Sequence, residues 1–151
     1  MIGERLHLVR ERVAAAAVRS GRSPEEITIV AVSKIKPAPD ILEAYSGGQR
    51  HFGENYVQEF HVKKEQLGEL PGAVFHLIGK LQSNKTKPAS GLFDVIQTVD
   101  SVKIARRLNE QTERRLDVFL ELKLSDEDTK SGLAEQELPA VKEFIQSCEH
   151  L

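Results

Sequence analysis

Five short runs of apolar and β-branched residues alternate along this chain with segments of helical spacing, and that alternation constrains the fold most. The runs are Ile27–Ser33, a brief one at Arg50–Phe52, Gly72–Gly79, Leu92–Val99 and Leu116–Leu124. Between them lie segments whose apolar residues recur every three or four positions, the mark of a helical face. Before the first run, Leu6, Val9, Val13 and Ala16 set one helical face between Glu4 and Arg19, which Gly21 closes. Asp40–Ser46, about Asn55–Leu67, a segment capped by Asp100 or Ser101, and about Leu138–Cys148 read as further helices. The stretch "KLQSNKTKP" (Lys80–Pro88) reads as a short helix or turn stopped by its proline. Strands separated by helices imply βαβ units with right-handed crossovers and a parallel sheet. Ile27–Ser33 is apolar on both parities, so it reads as a strand covered on both faces.

A chain of 151 residues, 40% of them hydrophobic, can bury a genuine core. Lysine and arginine number 21 against 23 acidic residues, and the net charge of −2 offers no long-range attraction for nucleic acid or an anionic membrane. With no tryptophan and 5% aromatic residues, a platform for stacking single-stranded bases is not expected. No apolar run approaches the ~20 residues of a membrane span. The first residues, "MIGERLHLVRERV", are charged from Glu4 onward, unlike the apolar core of a secretory signal. A lone cysteine, Cys148, forms no internal disulfide, and a cytoplasmic setting is the expectation. His51, His61 and His76 lack metal-ligand spacing, and no phosphate-binding glycine loop is present.

The polar residues gather at one end of the predicted sheet. Lys34, Glu54 with Asn55, Gln82 with Asn84 and Lys85, Asp100 with Ser101, and Ser125–Lys130 each follow the C-terminal end of a strand. In parallel α/β folds that edge binds ligands. Lys34 is the residue of most chemical interest. A partly desolvated lysine amine attacks an aldehyde and forms a Schiff base. The plainer alternative is a lysine whose stem runs along the strand end and whose ammonium stays in water.

Five segments occur in order: "AVSKIKP" (Ala31–Pro37), "GQRHFGENYVQE" (Gly48–Glu59), "FHLIGKLQSNK" (Phe75–Lys85), "TVDS" (Thr98–Ser101) and "KSGL" (Lys130–Leu133). Together they resemble the pyridoxal 5′-phosphate homeostasis family, relatives of the alanine racemase N-terminal domain. The resemblance implies an α/β fold of the TIM-barrel type, with pyridoxal 5′-phosphate held as a lysine aldimine on Lys34 and not turned over. It places Asn55 in the cofactor pocket, where the residue also suits a plain helix cap. His76 and Asn84 follow as pocket residues, although a strand histidine is often a hydrogen-bonded core group and Asn84 also suits a turn. Lys36 and Lys130 match further lysines of the pattern and either supply positive potential or are solvated surface charges. Tyr56 is expected to pack its helix onto the sheet.

By the same resemblance, apoenzymes that need the cofactor are the expected partners. Nucleic acid and membrane are not. The alternatives are a fold-type III racemase or decarboxylase, or an inert remnant. The racemase relatives need a second acid–base group on the far face of the cofactor, often from another domain. Three positions depart from the family's pattern: Lys80, Lys123 and Asp126. Asp126 or Asp128 is the expected partner of Lys123.

A TIM barrel takes ~250 residues, whereas five strand–helix units are legible here. The expectation is therefore one partial barrel over residues 1–151, without the family's glycine-rich phosphate cradle. A fragment, a barrel completed by self-association, and a genuine short form are the explanations, in that order. An open five-stranded sheet is expected to leave its edges unpaired and one apolar face bare.

Overall fold

The computed structural model describes residues 1–125 and 131–151. Its centre is a five-stranded, all-parallel sheet whose spatial order is the chain order: β1 (Val30–Val32), β2 (His51–Glu54), β3 (Val74–Leu77), β4 (Val95–Val99) and β5 (Asp117–Leu120). Among the described residues six α-helices accompany it: α1 (Ile2–Arg19), α2 (Ala38–Ser46), α3 (Val57–Leu67), α4 (Thr86–Leu92), α5 (Val102–Gln111) and α6 (Leu138–Gln146). Among the described residues β1 and β5 do not pair with each other, so the sheet is an arc of a barrel and not a closed one.

The period-two alternation of the strands sorts their side chains onto two faces. Phe52, Phe75, Leu77 and Ile96 point to the helices and are almost fully buried. There Phe60 of α3 bridges Phe75 and Phe93, with ring centroids 4.7 and 4.8 Å apart. This layer holds the main core, completed by Ala89 of α4 and by Ala105 and Leu108 of α5.

The opposite, concave face carries Val30, His51, Val74, His76, Val95, Gln97 and Phe119 around a cavity of about 690 Å³. Val32 and Phe119 on that side are 53% and 58% exposed. The expectation that Ile27–Ser33 is covered on both faces is thus corrected. Only Val30–Val32 pairs, it is an edge strand, and one of its faces is open.

Two further expectations change. The inward face of α1 runs through Leu6, Val13, Ala14 and Ala17, while Val9 and Ala16 are exposed. Pro88 does not stop a helix but sits in the first turn of α4, where a missing N–H costs nothing. Ser101 caps α5 as read, its Oγ accepting the Ile104 N–H at 3.3 Å.

Candidate functional site

The C-terminal ends of β1, β2 and β3 form a polar rim. β1 gives way at Ser33 to a tight turn over Ser33–Lys36, closed by the Lys36 N–H donating to the Ser33 carbonyl at 3.0 Å. Lys34 stands in that turn and is exposed. The partial desolvation expected of it from sequence is not what the structure shows. The next residue, Ile35, has φ of 63°, the only non-glycine among the described residues in the left-handed region.

Two residues beyond the pair Val32↔Gly53, Asn55 immediately follows the end of β2. The main chain of Gly79, at the end of β3, approaches Asn55 so closely that a Cβ there would lie 2.1 Å from the Asn55 carbonyl oxygen. Thr98 Oγ1 donates to the Gly79 carbonyl at 2.7 Å and fixes this junction from β4. Between the loops lies a cavity of about 360 Å³, lined by Asn55, Tyr56, Gln58, Lys80, Gln82 and Lys85. Among the described residues no carboxylate lines it, and the first turn of α3 opens into it. Tyr56 is 58% exposed, so it does not pack α3 onto the sheet as expected.

Beneath the rim lies a buried ionic network. Glu54, fully buried, accepts from Lys63 Nζ at 2.9 and 3.0 Å and from Ser33 Oγ at 2.8 Å. Lys63, itself buried on α3, also donates to the Ser33 carbonyl at 2.8 Å and pairs with Glu59 at 2.7 Å. Glu59 Oε1 in turn accepts the Ile35 N–H at 2.7 Å. The hydrogen-bonded Lys63 ammonium holds the Glu59 carboxyl below the usual glutamate range, against an opposing effect of burial.

His76 lies away from this rim, two strands from β1 and level with Val32 and Gly53. Gln97 Nε2 donates to His76 Nδ1 at 3.0 Å, so His76 carries its proton on Nε2 and gives it to His51 Nδ1 at 2.9 Å. Burial, aided by His51 and opposed by Asp94, pushes the His76 imidazole below the ordinary histidine value. His76 therefore lines the concave cavity, not the rim cavity. Asn84 is exposed on a 3₁₀ turn between Gln82 and Lys85. Lys36 is exposed and lines a separate cavity of about 510 Å³ with Arg5 and Asp40. Lys130, Asp126 and Asp128 lie outside the described residues.

Known proteins share this fold. The description of the alanine racemase N-terminal domain matches residues 10–151. The chain belongs to the alanine racemase N-terminal domain family. It is 49% identical over 142 residues to the pyridoxal phosphate homeostasis protein of Escherichia coli (strain K12), covering 91% of this chain and 61% of that one. The solved structure of PipY from Synechococcus elongatus PCC7942 without PLP matches with a TM-score of 0.84 and 39% identity, over 99% of this chain and 66% of that one. PipY with PLP bound matches with a TM-score of 0.81 and 38% identity. The chain thus spans slightly less than two-thirds of the length of these relatives.

Within the racemase-domain family's scaffold, the structure brings Lys34, Asn55, Lys80, Gln82 and Lys85 to one edge of the sheet and leaves His76 on the concave face. Sequence reading missed Lys63 and Glu59. Their spacing of four on a helix was a visible signal of an ion pair, but nothing local marked it as buried.

Proposed function

We propose that this chain binds pyridoxal 5′-phosphate and holds it for cellular supply without turning it over, with Lys34 as the covalent attachment point. When bound, that cofactor supplies a reactive aldehyde and a phosphate anion. The donor set fits both groups. Lys34 offers an exposed primary amine on a fixed turn, and condensation of its unprotonated form with an aldehyde forms a C=N bond and releases one water. Asn55, Gln82, Lys80 and Lys85 line a cavity that has no carboxylate among the described residues, which suits an anion. The observation that carries the reading is that this exposed amine and a cavity lined by lysines and amides lie at the same C-terminal, ligand-binding edge of a parallel sheet. The name of the Escherichia coli relative and the PLP bound in PipY support it.

Asn55 is read as a donor to the ligand, and Lys36, Lys130 and Asn84 as outer contributors of charge and hydrogen bonds. His76 lines the concave cavity and not the rim cavity, so its expected contact with the cofactor is not part of this reading. Release to apoenzymes in the cytoplasm and self-association over the bare concave face belong to the same proposal. The latter is supported by the exposure of Val32 and Phe119.

The test is direct. Purified protein mixed with pyridoxal 5′-phosphate is expected to gain the absorbance of a lysine-bound cofactor, and Lys34→Ala to lack it. Identical spectra from the two proteins overturn the assignment.

A further inference from the structure

The two peptide groups that flank Lys34 are both held from below by one ion pair. On the N-terminal side, the Ser33 carbonyl accepts from Lys63 Nζ at 2.8 Å. On the C-terminal side, the Ile35 N–H donates to Glu59 Oε1 at 2.7 Å. Lys63 and Glu59 are themselves joined at 2.7 Å, and Lys63 is seated on the buried Glu54 carboxylate. Lys34 contributes neither donor nor acceptor to this clamp, yet the clamp fixes the position of its Cα and the direction in which its side chain leaves the turn.

The backbone shows why a clamp is needed. A β-branched residue in the left-handed region is strained and persists only where its surroundings dictate it. Ile35 stands there at φ 63°. Its side chain is 79% exposed, so packing does not hold it. The Glu59 carboxylate is the group that meets its N–H.

We propose that the Glu59–Lys63 pair, seated on Glu54, is a positioning device that aims the Lys34 amine at the carbonyl carbon of an aldehyde ligand. This rests on the reading of Lys34 as the cofactor lysine. Glu54, Lys63 and Glu59 touch no ligand in this scheme. They act through the two peptide bonds beside Lys34, and Lys36, the exposed last residue of the turn, is the reference lysine.

The experiment mixes the whole chain with pyridoxal 5′-phosphate, reduces it with borohydride at short times, and reads by peptide mass the labelling of Lys34 relative to Lys36. Circular dichroism and thermal melting report whether each variant is folded. Wild type is expected to label Lys34 preferentially. In folded Glu59→Ala that ratio is expected to fall roughly tenfold or more, since small misplacements of a reacting group are costly. Glu59→Gln keeps an oxygen that accepts the Ile35 N–H, and its ratio is expected to stay within about twofold of wild type.

An unchanged ratio in folded Glu59→Ala overturns the proposal, as does an equal loss in Glu59→Gln. Should Glu59→Ala not fold, Glu59→Asp, whose carboxylate is withdrawn by one methylene, decides in the same way: a fall supports the proposal and an unchanged ratio overturns it. A wild type that labels Lys34 no better than Lys36 instead defeats the underlying reading of Lys34. Selective wild-type labelling that the variants keep defeats only the positioning role.

Discussion

Gly79 and Asn55 meet main chain to main chain, and a single added carbon at Gly79 would lie 2.1 Å from the Asn55 carbonyl oxygen and 2.8 Å from its carbonyl carbon. Backbone cannot swing aside as a side-chain tip does. Gly79→Ala is therefore expected to displace the β2–α3 loop and to cost about 1–3 kcal/mol, the usual range for overpacking. Urea unfolding checks the stability, and the Asn55 amide resonance checks the displacement.

Breaking the buried network at its cation is expected to be more damaging. Lys63→Met leaves the Glu54 carboxylate buried without its partner, at a cost of about 3–5 kcal/mol. Removing both charges together, as Glu54→Leu with Lys63→Met, is expected to recover more than half of that loss, because no lone charge stays buried. A double-mutant cycle on urea midpoints reads the coupling.

The His76 pair predicts a pH dependence of defined sign. The folded-state value lies below that of the unfolded chain, near 6.5, chiefly because the imidazole is buried. As pH falls through about 6.5 the unfolded chain takes up a proton that the folded one refuses, so stability declines until the lower folded value is reached. Unfolding midpoints at about pH 7.5 and 5.5 are expected to differ less in His76→Gln than in wild type.

The cap of α5 offers a smaller test. Ser101 Oγ accepts from the third N–H of the helix, and Ser101→Ala is expected to cost about 1 kcal/mol. Thermal melting measures it. A Ser101→Asp variant, which restores an acceptor and adds charge at the positive end of the helix, is expected to melt close to wild type.

The alternation of strand and helix was legible because each apolar run is short, β-branched and followed by residues of helical spacing. Boundaries were less so. The run Val13–Val18 is apolar at nearly every position, so spacing alone did not choose between Ala16 and Ala17 as the inward residue. Pro88 misled because a proline that ends one helix and one that sits in the first turn of another look alike in sequence.

At the site, Lys34 and Asn55 were legible as strand-end polar residues. The clamp was not. Nothing local in the sequence marks Glu59 and Lys63 as members of a buried network, and Lys63 is drawn inside because β2 turns Glu54 toward α3. His51 and His76 are 25 positions apart in the chain and became hydrogen-bonded neighbours through the pairing of β2 with β3.

Strand order that copies chain order has a consequence for how the molecule is made. Every strand after the first finds its partner roughly twenty residues upstream, as His51 with Val30 and Val74 with His51. Each new strand leaving the ribosome therefore meets a docking edge already synthesised, and none has to wait for a distant part of the chain. Assembly can proceed as a vectorial zipper from the N-terminal side, each new strand docking on the growing edge.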